Sequence, residues 1–418
     1  VPRPLSLRSP RTSPFAPTTL LALATVLAAV AGLVGLTAAR AEAASLQRIS
    51  SFGANPGALD MYAYVPESAQ PGAPLVVLLH GCTQDAAAYH DHSGWDGVAD
   101  ERGAVLVYAQ QRSANNTNSC FNWFRPGDTA RGSGETASIR RMAAYASEEF
   151  GATGAAYVSG LSAGGAMASE TLSAYPDAFA GGSVVAGLPT GCADSLLEAT
   201  TCMNSGKQQS AQQWGDEVRA KNPGYGGPWP RVEIWHGSAD YTVRPVNGEA
   251  SREQWVDVHG APTEPDRTEQ RPSGTVAEIH DAAGQPAVAL NTVSGMGHGT
   301  PVDPSAGCGG AGAYFLDTLC STEYTADFLG IGSGGAEPGP TPGPDPTPTP
   351  SPDPTDPPDE GACVTDDNYG HVAAGRAEHR LGRAYTVGAG DDLGLWSVGV
   401  TTSVRETGPG HWERTADC

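Results

Sequence analysis

Gly160-Leu161-Ser162-Ala163-Gly164 follows the apolar run Ala155-Ala156-Tyr157-Val158-Ser159 and opens a small-residue stretch from Gly165 to Leu172. The order reads as strand, sharp turn, helix, which is the context a nucleophile elbow needs. Such a turn forces its serine into a strained backbone conformation, so that Oγ stands clear of the sheet, and glycines on either side let strand and helix approach. Glycine supplies 54 of the 418 residues, so the pentapeptide speaks only through these flanks. They make Ser162 the candidate nucleophile.

A nucleophilic serine needs a base for its proton and a carboxylate to orient that base, here in the chain order Ser, Asp, His. Arg231 to Asp240 reads as a strand followed by a glycine turn, which places Asp240 at a strand's carboxyl end. Open α/β sheets put their chemistry at such ends. Ala287 to Val293 reads as the last core strand, and Gly295-Met296-Gly297-His298-Gly299 puts His298 on a glycine-flanked loop able to fold back over the elbow. The chain has ten histidines, and only His298 has this setting. Separately, each residue has a plainer reading: the serine as a helix N-cap, Asp240 as a turn residue, His298 as a surface-loop histidine. Taken in order and in strand context, they favour a triad.

The oxyanion of an acyl-transfer intermediate should be held by two backbone N–H groups, one next to the nucleophile and one in the loop after an earlier strand. Ala163 supplies the first. Leu75-Val76-Val77-Leu78-Leu79-His80-Gly81-Cys82 supplies a strand and its His-Gly turn, making Cys82 the second donor. His90-Asp91-His92 has metal-ligand residue types, but alternate residues without further ligands nearby read as a solvated helix start. No metal and no cofactor are expected.

Several stretches resemble the secreted polyhydroxyalkanoate (poly-3-hydroxybutyrate) depolymerase-like esterases, with the feruloyl and acetylxylan esterases as neighbouring groups. They are LVVLLHGCTQ (Leu75 to Gln84), SGWDGVAD (Ser93 to Asp100), CFNWF around Trp123, RGSGETASI (Arg131 to Ile139), YVSGLSAGGAM (Tyr157 to Met167), WHGSADYTV (Trp235 to Val243) and GMGHGTPVD (Gly295 to Asp303). The resemblance covers nearly all of residues 45 to 330. It implies an α/β-hydrolase fold, the triad Ser162, Asp240 and His298, and the oxyanion pair Cys82 and Ala163. Trp123, with Phe121 and Phe124 in the same loop, reads as an apolar wall near the substrate cleft or, equally, as a buried structural tryptophan. Glu135 reads as a helix-start residue rather than a catalytic acid.

The first 44 residues carry Arg3, Arg8 and Arg11, an uncharged apolar stretch from about Thr18 to Ala39, and the small-x-small site Ala41-Glu42-Ala43. This reads as a secretory signal peptide. The chain's formal charge is −22, and removing four arginines and one glutamate with the leader takes it to about −25. So acidic a protein is expected to bind neither nucleic acid nor anionic membranes, and to keep no stable membrane association once the leader is gone. The eight cysteines all lie beyond the leader, where an even number in an exported chain makes disulfides the default. Sequence alone allows roughly a hundred pairings. Proximity together with the resemblance favours Cys82 with Cys120, Cys192 with Cys202, Cys308 with Cys320, and Cys363 with Cys418. No C-x-x-C pair argues for zinc.

Strand-like runs at Leu75–Leu79, Val105–Tyr108, Ala155–Ser159, Gly182–Ala186, Val232–Trp235 and Ala287–Val293 alternate with helix-like segments such as Glu135–Phe150 and Gln208–Lys221. That alternation predicts a parallel sheet wrapped by helices over residues 45–331. Gln47–Phe52 and Leu59–Val65 read as an antiparallel hairpin at its edge. Residues 332–361 turn to Pro, Thr, Asp and Gly, a linker whose densest part would span roughly 65 Å as polyproline II. Residues 362–418 form a small β-rich module, too short to rely on core burial, with Cys363 and Cys418 as its staple. NYGHVAAGRA (Asn368 to Ala377) and TGPGHW (Thr407 to Trp412) resemble a C-terminal domain of secreted bacterial hydrolases, which implies binding or adsorption. Tyr369, Tyr385, Trp396 and Trp412 could form its contact surface or its core.

A catalytic domain on a spacer beside a small second domain suits an insoluble polymer, because tethering raises the local enzyme concentration. The expected function is therefore an extracellular serine esterase cutting an insoluble polyester, poly(3-hydroxybutyrate) first. The rivals are an acetylxylan or feruloyl esterase acting on plant cell walls, and an adhesion protein on an inactive hydrolase scaffold.

Overall fold

Six apolar runs become the parallel centre of a ten-stranded sheet. In this computed structural model the described residues are 45–332 and 363–418, except 374–375, 381–382, 396–399, 409 and 417. The leader and nearly all of the linker read from the sequence lie outside them.

The strands are β1 Gln47–Ile49, β2 Asp60–Tyr64, β3 Leu75–Leu79, β4 Val105–Gln110, β5 Ala156–Leu161, β6 Gly181–Val185, β7 Arg231–Gly237, β8 Arg267–Arg271, β9 Thr275–Ala282 and β10 Gln285–Val293. They run side by side in the order β1-β2-β4-β3-β5-β6-β7-β10-β9-β8. The stretch from β4 through β3, β5, β6 and β7 to β10 is parallel. Around it lie the helices α1 Ala86–Ser93, α2 Trp95–Arg102, α3 Pro126–Thr129, α4 Gly134–Phe150, α5 Ala163–Ala174, α6 Leu196–Ser205, α7 Ala211–Lys221, α8 Val246–His259 and α9 Ser321–Leu329.

Helices on both faces explain why the central strands read as unbroken apolar runs: β3 is buried at every position, as a doubly covered parallel strand must be. Successive side chains still part to opposite faces. Leu75, Val77 and Leu79 enter one core cluster, whereas Val76 and Leu78 enter the other.

The sheet continues beyond β10, the strand expected to be the last of the core. β9 pairs antiparallel with β10, and β8 with β9. Thr275, Ala277 and Ile279 are buried, with Val276 and Glu278 between them half-buried. This period-two signal was in the sequence but diluted by polar residues. The outermost strand, Arg-Thr-Glu-Gln-Arg, is almost wholly exposed, and a charged edge discourages pairing with another sheet. Two short strands, β11 Thr300–Val302 and β12 Phe315–Asp317, pair in parallel apart from the main sheet.

The chain divides into two units between Asp345 and Pro346. The second unit, considered by itself, holds two three-stranded sheets. One is ordered β13-β17-β18 and the other β14-β15-β16, from β13 Cys363–Asp367, β14 Ala377–Arg380, β15 Arg383–Thr386, β16 Asp392–Leu395, β17 Thr401–Gly408 and β18 His411–Thr415, with helix α10 Asn368–Ala373. Cysteines pair as 82–120, 192–202, 308–320 and 363–418, the pairs that proximity and the resemblance favoured. Among the described residues, no helix is long and apolar enough to cross a membrane.

Candidate active site

Ser162 sits between β5 and α5 with φ 59° and ψ −118°, a region costly for a residue with a side chain. The turn is held by Ser162 N–H donating to Val185 O at 2.8 Å and Ala166 N–H donating to Ser162 O at 2.9 Å. Its flanking glycines are required by close approach. A Cβ on Gly164 would lie 2.2 Å from Leu79 O, and one on Gly160 2.4 Å from Gly164 O. The Ser162 side chain makes no capping bond to its helix. Its Oγ instead lies 2.9 Å from His298 Nε2.

His298 Nδ1 lies 2.7 Å from Asp240 Oδ2. An ionised carboxylate can only accept, so Nδ1 carries the hydrogen and Nε2 is left to accept from the serine hydroxyl. The other Asp240 oxygen accepts from the Thr242 and Val243 N–H groups at 2.8 and 2.9 Å. Burial opposes the Asp240 charge, but the His298 bond and the two amides outweigh it and hold the carboxyl below its ordinary value. The loops carrying Asp240 and His298 touch because Gly237 has no side chain: a Cβ there would meet Met296 O at 2.3 Å. Ala239 N–H then donates to that same carbonyl at 2.9 Å.

The structure thus brings together three residues from segments 78 and 58 positions apart, in the arrangement that lets an imidazole take a proton from a serine. The Cys82 and Ala163 amides make no hydrogen bond to any described residue. That leaves both free to accept an oxyanion as partner.

Sequence reading missed the residues behind these groups. His80, fully buried, lies with Nδ1 2.7 Å from Gly81 O and Nε2 3.1 Å from the Gln111 N–H. Nε2 must accept, so Nδ1–H donates. Gly81 O belongs to the same trans peptide plane as the Cys82 N–H and points opposite to it. By gripping that oxygen, His80 aims the Cys82 donor. Burial pushes His80 down to about 4, which keeps it neutral and its donor pattern fixed.

Gln111 Nε2 donates in turn to Cys120 O and to Glu135 Oε1. Glu135 also accepts from the Asn122 N–H at 2.8 Å and the Asn122 amide at 2.6 Å. Burial and then the nearby Asp128 push the Glu135 carboxyl up to about 8, against these three donors. Glu135 lies in the first turn of α4, as read from sequence, but its task is to fasten the loop that carries Cys120 and Trp123. Trp123 is 4% exposed and packs edge-on against Phe124, so its ring braces that loop within the core. His236, also buried, donates from Nε2 to Val243 O at 2.8 Å, with Asp240 Oδ2 3.6 Å away. It backs the stretch whose amides hold Asp240. His90 and His92 face different neighbours, Tyr108 and Phe315.

Residues 59–279 match the family described as Esterase PHB depolymerase. The chain is 46% identical over 292 residues to a poly(3-hydroxyalkanoate) depolymerase C from Paucimonas lemoignei, covering 69% of this chain and 70% of that one. It is 31% identical over 271 residues to a feruloyl esterase B from Talaromyces funiculosus, covering 63% and 75%. Among solved structures, an acetyl xylan esterase from Aspergillus awamori superposes with a TM-score of 0.59 at 24% identity, over 69% of this chain and 99% of that one.

Proposed function

The chain belongs to the esterase PHB depolymerase family and is a carboxylic ester hydrolase, and from that premise we propose that it is an extracellular serine esterase degrading poly(3-hydroxybutyrate). The observation that carries the reading is the serine, histidine and aspartate hydrogen-bonded in series in a chain 46% identical to a poly(3-hydroxyalkanoate) depolymerase over most of its length.

In this mechanism His298 takes the Ser162 proton as Oγ attacks the ester carbonyl. The tetrahedral oxyanion accepts hydrogen bonds from the Cys82 and Ala163 amides, where each such donor is worth about 10²–10³ in rate. The alcohol portion leaves with the proton from His298, and water then repeats the cycle on the acyl-enzyme. Asp240 keeps the imidazole oriented throughout. Four disulfides and an arginine-headed apolar leader support export. Residues 362–418 serve as the adsorption module, tethered through the linker.

One observation favours the cell-wall reading. The second unit carries an open groove of about 620 Å³ lined by Thr365, Thr401, Ser403, Asp391 and Arg414, groups suited to a hydroxyl-rich polymer. Product release from poly(3-hydroxybutyrate) particles, acetylated xylan and methyl ferulate, by the protein and its Ser162→Ala variant, decides between them. Hydroxybutyrate or its oligomers released by the parent alone sustain the proposal. Response to xylan or ferulate only overturns it.

A further inference from the structure

A cavity of about 210 Å³ is walled by segments that neighbour Cys82 in sequence and His298 in space. Thr83 and Gln84 directly follow the oxyanion donor Cys82, Ala88 and His92 contribute from α1, and Tyr314 and Phe315 close it from the loop bridged by Cys308 and Cys320. Tyr314 also stands edge-on to His298, with ring centroids 6.0 Å apart.

The loop tip is built to hold that ring in place. Gly312 and Phe315 exchange backbone hydrogen bonds at 3.0 and 3.1 Å, and Tyr314 O accepts from the Thr300 N–H at 2.8 Å. Between them Tyr314 adopts φ 66° and stays 43% exposed. A strained backbone that displays an aromatic ring beside a catalytic imidazole points to a ligand-facing role.

Resting on the polyester reading above, we propose that this cavity is the subsite for the alcohol side of the scissile ester, taking the hydroxyacyl repeat that departs. The leaving oxygen must receive its proton from His298 Nε2, so the group attached to it passes the imidazole edge, where Tyr314 stands. The 210 Å³ volume is many times the ~10–15 Å³ that one water needs, room for one hydroxybutyrate repeat. Ala88, Tyr314 and Phe315 offer carbon surface to its methyl and methylene groups. Gln84 Nε2 reaches Ala313 O only at 3.5 Å, a weak bond that leaves the amide available to an ester carbonyl, as is the Thr83 hydroxyl. Among the described residues no lysine or arginine lines the cavity, and Asp85 stands at its wall, so a neutral ester from the chain interior is preferred over a free carboxylate.

The test compares two substrates that share the 3-hydroxybutyryl acyl group: methyl 3-hydroxybutyrate, whose leaving alcohol is methanol, and the linear 3-hydroxybutyrate trimer. The readout is the ratio of kcat/KM for trimer to that for methyl ester, in the full-length protein. Ala88→Phe, which fills the cavity, and Tyr314→Ala, which opens it, should each lower this ratio at least tenfold. Residual methyl-ester turnover shows that each variant is folded. Variants that lower both substrates in proportion, or neither, overturn the subsite while leaving the polyester reading standing. A parent protein that leaves the trimer intact overturns the subsite, and the polyester reading falls with it only if poly(3-hydroxybutyrate) particles also release no product.

Discussion

Residues 45–332 bury five tryptophans completely or nearly so, Trp95, Trp123, Trp214, Trp235 and Trp255, in two clusters on either face of the sheet. In residues 363–418 the described core is Ala377, Ala384, Leu393 and Val404, with Val372 and Trp412 packed against it. What the small unit lacks in apolar burial it replaces with polar bonds and a covalent link. Asn368, fully buried, donates to Leu393 O and Leu395 O and accepts from Thr402. His371 bonds Thr402 O from one ring nitrogen and receives Arg376 on the other. The Asn, His and Arg of NYGHVAAGRA are thus interior fastenings of the small unit. Of the aromatic candidates, Trp412 packs on the core and Tyr385 is half-buried. Trp396 and the Tyr369 side chain lie outside the described residues. The contrast teaches where strain can be stored: a serine at φ 59° needs the larger, doubly covered core to hold it.

The sharpest division between the units comes from Ser162→Ala, which should lower ester hydrolysis by about 10⁴-fold or more while adsorption to polymer particles is unchanged. Loss of adsorption in this variant would break the division of labour. Gly164→Ala places a Cβ 2.2 Å from Leu79 O and should cost about 4–5 kcal/mol, seen as a lowered urea midpoint of the first unit only. Removing the staple by Cys363→Ser with Cys418→Ser opens a link across 55 positions and should cost the second unit about 4 kcal/mol. Limited proteolysis would show it cut first, with polymer hydrolysis down about tenfold and soluble-ester hydrolysis retained. Lost soluble-ester activity would mean that the catalytic unit depends on its neighbour.

The acid side sharpens the comparison further. His80 falls from 6.5 to about 4 on folding, so the unfolded chain binds the extra proton between those values. Stability is full above pH ~6.5 and lost progressively towards pH ~4, by about 3 kcal/mol. Acid unfolding should therefore strike the first unit through this residue, and His80→Gln should flatten the profile. The same variant loosens the Gly81–Cys82 peptide and should lower kcat about 10–100-fold with KM little changed. An unchanged kcat would show that the turn holds its donor without His80.

The serine, histidine and aspartate that the fold hydrogen-bonds in series and the parallel centre of the sheet were legible because each rests on a short local pattern. An apolar run between turns is a strand, and glycines around a serine mark an elbow. The polar scaffold was not legible in the same way. His80 meets an amide 31 positions away and Gln111 meets a carboxylate 24 positions away, and no local spacing announces such pairs. Their residue types read equally well as surface loops.

By itself, then, the sequence determined which groups could do acyl-transfer chemistry and on which strand ends they stand, since backbone geometry near glycine and proline and the burial of apolar runs are local consequences of residue type. Only the tertiary structure decided how the Gly81–Cys82 peptide is held, what Glu135 and His236 fasten, and that residues 83–92 and 313–315 enclose one cavity. Those depend on contacts between distant segments, and a buried polar group acquires its role only from the partner that the fold delivers to it.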